Sequence, residues 1–242
     1  MPISKFLIAQ IIYESRLDDT GVDPQDGVNP IGALSTNVAG GLGGLFTVMS
    51  DAGTDGMQAM SSQLSFVLTN AVMASNLNVT QVAPGGNPGA ADYNDTTVYL
   101  TQTAANEITG FVDIDGSGTF NAGDLVALKV SISNPADPAN AQLTFEQHLA
   151  IEHPDNSRFD ESLSLLTQGH DKIQLRFDAN VTDNDGDSAS DSATIDLINA
   201  HRSPLRSDDD GPHVEVDVDR EGSLKDFALN LDESINPDGD GL

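Results

Sequence analysis

Cysteine is absent from all 242 residues, which excludes disulfides, thiolate metal sites and cysteine nucleophiles. Tryptophan is also absent and tyrosine occurs three times, so the aromatic platform on which a carbohydrate-binding module stacks sugar rings is poorly supplied. Cations are scarce: ten Lys and Arg stand against 38 Asp and Glu, a formal net charge of -28. Binding phosphate needs a basic footprint, so nucleic acid is excluded as a partner, and an anionic membrane surface with it. Long apolar runs are missing. Lys5–Ile12 carries Phe6-Leu7-Ile8-Ala9 and Ile11-Ile12, too short to span a bilayer and without a clear small-residue cleavage site, so neither membrane insertion nor a signal peptide is expected there. Export by a route that leaves the N-terminus intact stays open.

Catalytic signatures are lacking as well. There is no GxSxG elbow, and carboxylate pairs are too abundant to nominate a glycosidase acid and base. His148 and His153 stand five apart around Glu152, whereas zinc hydrolases place paired histidines four apart on a helix, and Pro154 ends regular structure at once. His153 reads as a turn residue whose ring caps backbone groups. No enzyme is expected.

What the chain has in excess is carboxylate, spread along its length. Such a charge repels itself in a compact state unless cations occupy the acidic clusters, and metal cross-links would serve an exported protein in place of disulfides. Acidic solvation for solubility or a salty habitat is the plainer account. The run from Asp113 to Asp124 reads as a calcium loop: side-chain oxygens of Asp113, Asp115, Ser117, Asn121 and Asp124 fall at positions 1, 3, 5, 9 and 12, with Gly118 at position 6 and the Thr119 carbonyl at 7. Phe120 is expected to tuck inward and anchor it. Position 12 is Asp124 instead of the long glutamate of a sensor site, which favours a structural Ca²⁺ over a regulatory one. The alternative is an Asp/Gly/Ser turn between strands.

A second candidate is Asp183, Asp185 and Asp187, alternating around Gly186, where three close carboxylates repel one another without a cation between them. An Asp/Gly hairpin is the alternative. Gly40-Gly41-Leu42-Gly43-Gly44 lacks the lysine and Ser/Thr of a phosphate loop. Its backbone N–H groups at Gly43 and Gly44, with Asp51 and Asp55 of the next loop, form a candidate ligand pocket for a peptide terminus. Two flexible turns would account for the same residues.

Periodicity is mostly two, with Thr, Val, Ser and Ile in short runs separated by Gly, Asn, Asp and Pro. Strands are expected at Leu45–Met49, Gln63–Leu68, Leu77–Val82, Thr96–Gln102, Glu107–Val112, Leu125–Ile132, Gln142–Gln147, Lys172–Thr182, Ala193–Ile198 and Val214–Val218. Helix is confined to a turn or two near Arg158–Leu166. The fold class is therefore all-β, an antiparallel β-sandwich with calcium-binding loops. Leu17-Asp18-Asp19-Thr20 with Asp23–Val28 is echoed by Leu231-Asp232-Glu233-Ser234 with Asn236–Leu242, as if one repeat of a tandem array ended where the next begins. The expected division is an N-terminal flank or edge strand at 1–16, the sandwich at 17–212, and a last strand with the start of the next repeat at 213–242. Ser207–Pro212 would be the joint.

The run Leu143–Gln147, then Ala150–Pro154, Val181–Ser190 and Asp209–Pro212 resembles a repeat domain of the giant RTX adhesins, which Gram-negative bacteria export by type I secretion. The resemblance is densest over Gln142–Pro212. It implies a calcium-loaded β-sandwich on the bacterial cell surface, in adhesion and biofilm formation. Some such domains grip the free C-terminus of a peptide on another cell or surface with help from calcium, and others only extend the stalk beside neighbouring repeats. The long stretch Ser35–Thr101 favours the binding kind.

Overall fold

The computed structural model describes residues 10–13, 32–35, 40–79, 96–154 and 161–208. The chain divides into two compact units, Met1–Gly211 and Pro212–Leu242. All described residues belong to the first, so the expected strand at Val214–Val218 and both halves of the internal echo lie outside them.

Among the described residues twelve strands carry the fold: β1 Gln10–Tyr13, β2 Gly32–Ser35, β3 Met57–Leu68, β4 Val72–Val79, β5 Thr96–Ala104, β6 Glu107–Val112, β7 Leu125–Ser133, β8 Gln142–Gln147, β9 Ser162–Ser164, β10 Ile173–Asp183, β11 Ser188–Ile198 and β12 Leu205–Asp208. A six-stranded antiparallel sheet runs β2-β8-β7-β6-β5-β4, and three-stranded sheets run β11-β10-β3 and β1-β12-β9. The fold class is all-β and sandwich-like, with one sheet curled into a half-barrel. β1 pairs with β12 in parallel, so the N-terminal flank contributes a strand to the first unit. At the β4 edge, Asn76 donates its amide to the Ser164 carbonyl (3.0 Å) and accepts from the Leu166 N–H (2.7 Å), which draws the segment around β9 against that edge.

Period-two burial builds the core. Met73, Leu77 and Val79 of β4, Val98 and Leu100 of β5, Val130 and Ile132 of β7, Leu143 and Phe145 of β8, and Ile173 and Leu175 of β10 are buried in one cluster with Leu64 and Phe66 of β3. β6 departs from this pattern, with both faces buried from Ile108 to Val112. Gly110 permits the approach of its neighbour: a Cβ there would lie 2.5 Å from Leu128 Cγ.

Three expectations are corrected. Leu45–Met49 is not a strand; a 3-10 turn spans Leu42–Leu45 and no ladder follows it. Gly40 and Gly41 at φ 78° and 59° turn the chain so that buried Leu42 donates its N–H to the Ala141 carbonyl. A Cβ on Gly41 would lie 2.5 Å from the Pro138 and Ala139 carbonyl oxygens, so only glycine fits. Leu77–Val82 starts too late, since β4 begins at Val72 and the small polar residues Ser75 and Asn76 mask its alternation. The helical turn near Arg158–Leu166 is replaced, over its described part, by β9, because Ser162–Ser164 finds a ladder on β12. Local propensity yields to tertiary pairing there.

One cross-strand ion pair gives the fold a pH dependence. Lys172 Nζ lies 2.8 Å from Asp196 Oδ2, and Gln174 donates to Oδ1 at 2.8 Å. The hydrogen bond from Lys172, then that from Gln174, holds the Asp196 carboxyl below its ordinary value of 3.8. A depressed carboxyl contributes stability that is present above about pH 4 and is lost as pH falls through the lower folded value. The pair is partly exposed, so the contribution is under about 1 kcal/mol. Urea unfolding of Asp196→Asn should show a small deficit at pH 7 that closes as the wild-type carboxyl protonates in acid; a deficit unchanged with pH would refute the pair.

Candidate metal centre

The loop Asp113–Asp124 joins β6 to β7 and is held from both ends. Asp124 accepts from the Ile114 N–H through Oδ1 (3.0 Å) and from the Asn121 N–H through Oδ2 (2.8 Å), so it clasps the start of the loop to its end. Asp113 accepts from the Ser117 N–H (3.1 Å) and the Gly118 N–H (2.8 Å), and Gly118 takes the left-handed φ of 72° that the turn demands. The Ser117 side chain, then its backbone N–H, holds Asp115 below the usual carboxylate range.

One oxygen each of Asp113, Asp115 and Asp124 lies within 4.8 Å of the others. The Asn121 amide sits among further donors: its Nδ2 donates to Asp115 Oδ2 (3.1 Å), Ser117 Oγ (3.2 Å) and the Thr119 carbonyl (3.3 Å). These oxygens already converge on the positive end of an amide dipole. An all-oxygen donor set of carboxylates, hydroxyl and carbonyl is the chemistry of a hard cation, and the residues fit one. The side-chain oxygen expected of Asn121 at position 9 is corrected: Oδ1 accepts from the Gly123 N–H at 2.8 Å, and it is the amide NH2 that faces the other oxygens.

Phe120 anchors the loop as its apolarity suggests. Its ring centroid lies 5.3 Å from that of Phe111, which in turn stands 6.0 Å from Tyr99. Phe111 is fully buried yet belongs to the face of β6 opposite Ile108 and Val112. The loop thus folds back over the outer face of the six-stranded sheet.

The second acidic cluster is Asp55, Asp183 and Asp185, again with oxygens within 4.8 Å. It lies where the β10–β11 turn meets the loop before β3. Asn184 makes that junction, its side chain donating to the Asp55 carbonyl (2.6 Å) and its N–H to the Gly56 carbonyl (3.2 Å). Asp187 is not part of the cluster: its backbone N–H donates to Asp183 Oδ1 (2.8 Å) and its carbonyl accepts from the Asp183 N–H (3.0 Å). Hydrogen bonding with Asp185, then with the N–H groups of Asp187 and Gly186, holds Asp183 low. Asp55, read from the sequence as a pocket residue, is the carboxylate that alternation along one loop could not reveal, since it is brought in across the fold.

The expected N–H nest at Gly43 and Gly44 is corrected. Gly43 donates to the Pro138 carbonyl (2.7 Å), and Gly44 to the Gly40 and Gly41 carbonyls (3.1 and 3.2 Å), so the chain itself uses both groups. Asp51 accepts from the Gly53 N–H at 2.9 Å and lines a cleft with Phe46 and β10 and β11 residues, a lining to which neither Gly43 nor Gly44 contributes. His153 caps nothing among the described residues, for both ring nitrogens are buried without a hydrogen-bond partner. His148 Nε2 lies 3.3 Å from Glu146 Oε2; burial lowers its pKa more than that carboxylate raises it.

No curated protein and no solved structure matches this chain. One protein family does, over residues 15–196, a span that holds both carboxylate clusters and most of the sandwich. The chain belongs to that family, which is described as a domain of unknown function, DUF5801.

Proposed function

We propose that this chain is a calcium-dependent, extracellular ligand-binding module of a bacterial surface adhesin. The observation that carries the reading is the Asp113–Asp124 loop, where the carboxylates of Asp113, Asp115 and Asp124 cluster and oxygens of Asp115, Ser117 and Thr119 converge around the Asn121 amide. A Ca²⁺ ion there takes the place of the amide hydrogens and neutralises part of a net charge of -28. The loop is tied to Phe111, so ordering it stiffens the sheet beneath. RTX-type export and neighbouring repeats of the same adhesin belong to this reading through the order of motifs over Gln142–Pro212.

The ligand role rests on the other cluster. Asp55 and Asp185 are exposed, so an ion held there keeps positions open to water or to an incoming carboxylate. With the Gly43 and Gly44 N–H groups committed elsewhere, such an ion is the receptor that the free C-terminus of an extracellular peptide would need. A stalk extender needs only closed ion sites, and an open one favours the binding role. The test is peptide binding with free or amidated C-termini, in millimolar-range Ca²⁺ and in EDTA, with a fold check in each. Calcium-dependent binding that amidation and Asp185→Asn both abolish is expected; absence of binding by a folded, calcium-loaded chain would leave the extender role.

A further inference from the structure

The outer part of the β3-β10-β11 sheet extends beyond the core. β11 is exposed from Ser188 to Thr194, and among the described residues its only strand partner is β10. Phe177, Ala179 and Val181 share one face of β10 and pair with Ala193, Asp191 and Ala189 of β11. That face is therefore small and apolar except for one carboxylate at its middle. The segment Phe46–Asp51 runs beside it, with the Phe46 ring 5.1 Å from that of Phe177, and together they enclose a cleft of about 290 Å³. Met49 is 93% exposed at its rim. The ionisable groups lining the cleft are the carboxylates of Asp51 and Asp191, with no cation of its own. The opposite face is polar, and Arg176 there is already paired with Asp178 at 2.7 Å.

We propose that β11 is a docking edge for an extended segment of another protein carrying a lysine or arginine between two apolar residues, spaced apolar-x-Lys/Arg-x-apolar. Three constraints lead to this pattern. An edge strand offers backbone groups to an added strand, and the Ser192 N–H, which Asp191 Oδ1 accepts at 2.8 Å, exchanges that local bond for one to the added strand and leaves the carboxylate to the incoming cation. Side chains of an added strand alternate, so every second one faces the cleft. Cross-strand neighbours of Ala189 and Ala193 then meet a small apolar surface, while the neighbour of Asp191 meets a carboxylate and must be a cation. The intervening side chains meet Ser188, Ser190 and Ser192 and are polar.

This inference is separate from capture of a carboxyl terminus by an ion, and its test uses peptides blocked at both ends so that each can fail alone. Fluorescence anisotropy of the calcium-loaded full chain with acetyl-Ser-Val-Ser-Lys-Ser-Val-Ser-amide should show saturable binding. A scrambled peptide that puts the valines on the other face, and one with Glu for Lys, should bind at least about fivefold more weakly. Asp191→Lys should reverse the preference between the Lys and Glu peptides, and near-isosteric Asp191→Asn should weaken the Lys peptide by about two- to fivefold. Melting curves confirm that each variant folds, and Asp171→Asn, which removes the same charge elsewhere, should change little.

Equal binding of the scrambled peptide, or equal loss on Asp171→Asn, would reduce the attraction to diffuse electrostatics and overturn the proposal. It would also fall if no peptide binds and Asp191→Asn dimerises, since the carboxylate would then guard the edge against a second copy of the chain.

Discussion

Calcium added to the metal-free chain should raise its melting temperature by roughly 5–10 °C. An ion that binds only the folded state at about a hundred times its Kd stabilises it by about 2.7 kcal/mol. For a domain of this size each kcal/mol moves the midpoint by about 2–4 °C. The effect should be larger in low salt, where nothing else screens the carboxylates. Asp113→Asn with Asp115→Asn should remove most of the shift, because both carboxylates belong to the loop where the oxygens converge. Asp185→Asn should remove only the share due to the exposed cluster. Magnesium should substitute poorly, since it demands a tighter octahedral shell and keeps its water. Calorimetry in EDTA, Ca²⁺ and Mg²⁺ decides the matter, and a calcium shift that survives in the double variant would place the ion elsewhere.

Replacing Phe111 by alanine should cost about 3–5 kcal/mol, the range for deleting a buried aromatic ring. That is a large fraction of the roughly 5–15 kcal/mol by which domains are stable. Phe111 is fully buried, yet it packs against Tyr99 and Phe120 on the outer face of the six-stranded sheet. Its loss should therefore do what deletion of a main-core residue such as Leu143 does not, and weaken calcium binding by loosening the loop. Phe120→Ala gives the complementary case: the side chain is only partly buried, so stability should fall less while calcium affinity still drops. Urea unfolding and calcium titration of the three variants separate the effects. If Phe111→Ala and Leu143→Ala alter affinity alike, the aromatic stack does not hold the loop.

The two acidic sites were legible to different degrees. Asp113–Asp124 is local, so the positions of oxygen donors in the chain become positions around one point once Gly118 makes the turn. Even so, sequence reading did not show that Asp124 clasps Ile114 to Asn121, which depends on where backbone N–H groups come to point. At the β10–β11 turn the alternation of Asp183, Asp185 and Asp187 suggested three ligands. The hairpin commits Asp187 through its backbone, and Asp55 arrives from more than a hundred residues away. Likewise, the glycines at 40–44 advertise conformational freedom without saying which carbonyls will take their N–H groups.

The sequence alone determined the all-β class and the strands whose alternation is long and unbroken. Gln142–Gln147 stands as its pattern requires, because side-chain period is a property of the strand itself. The charge balance and the lack of cysteine bounded the chemistry in the same local way. Tertiary structure decided which strands became neighbours, that Ser162–Ser164 would pair with Leu205–Asp208, that β11 would lie at an edge among the described strands, and that Asp55 would join Asp183 and Asp185. Those outcomes depend on contacts between residues far apart in the chain. Their energy comes from burying one shared core, and no short stretch of sequence records it.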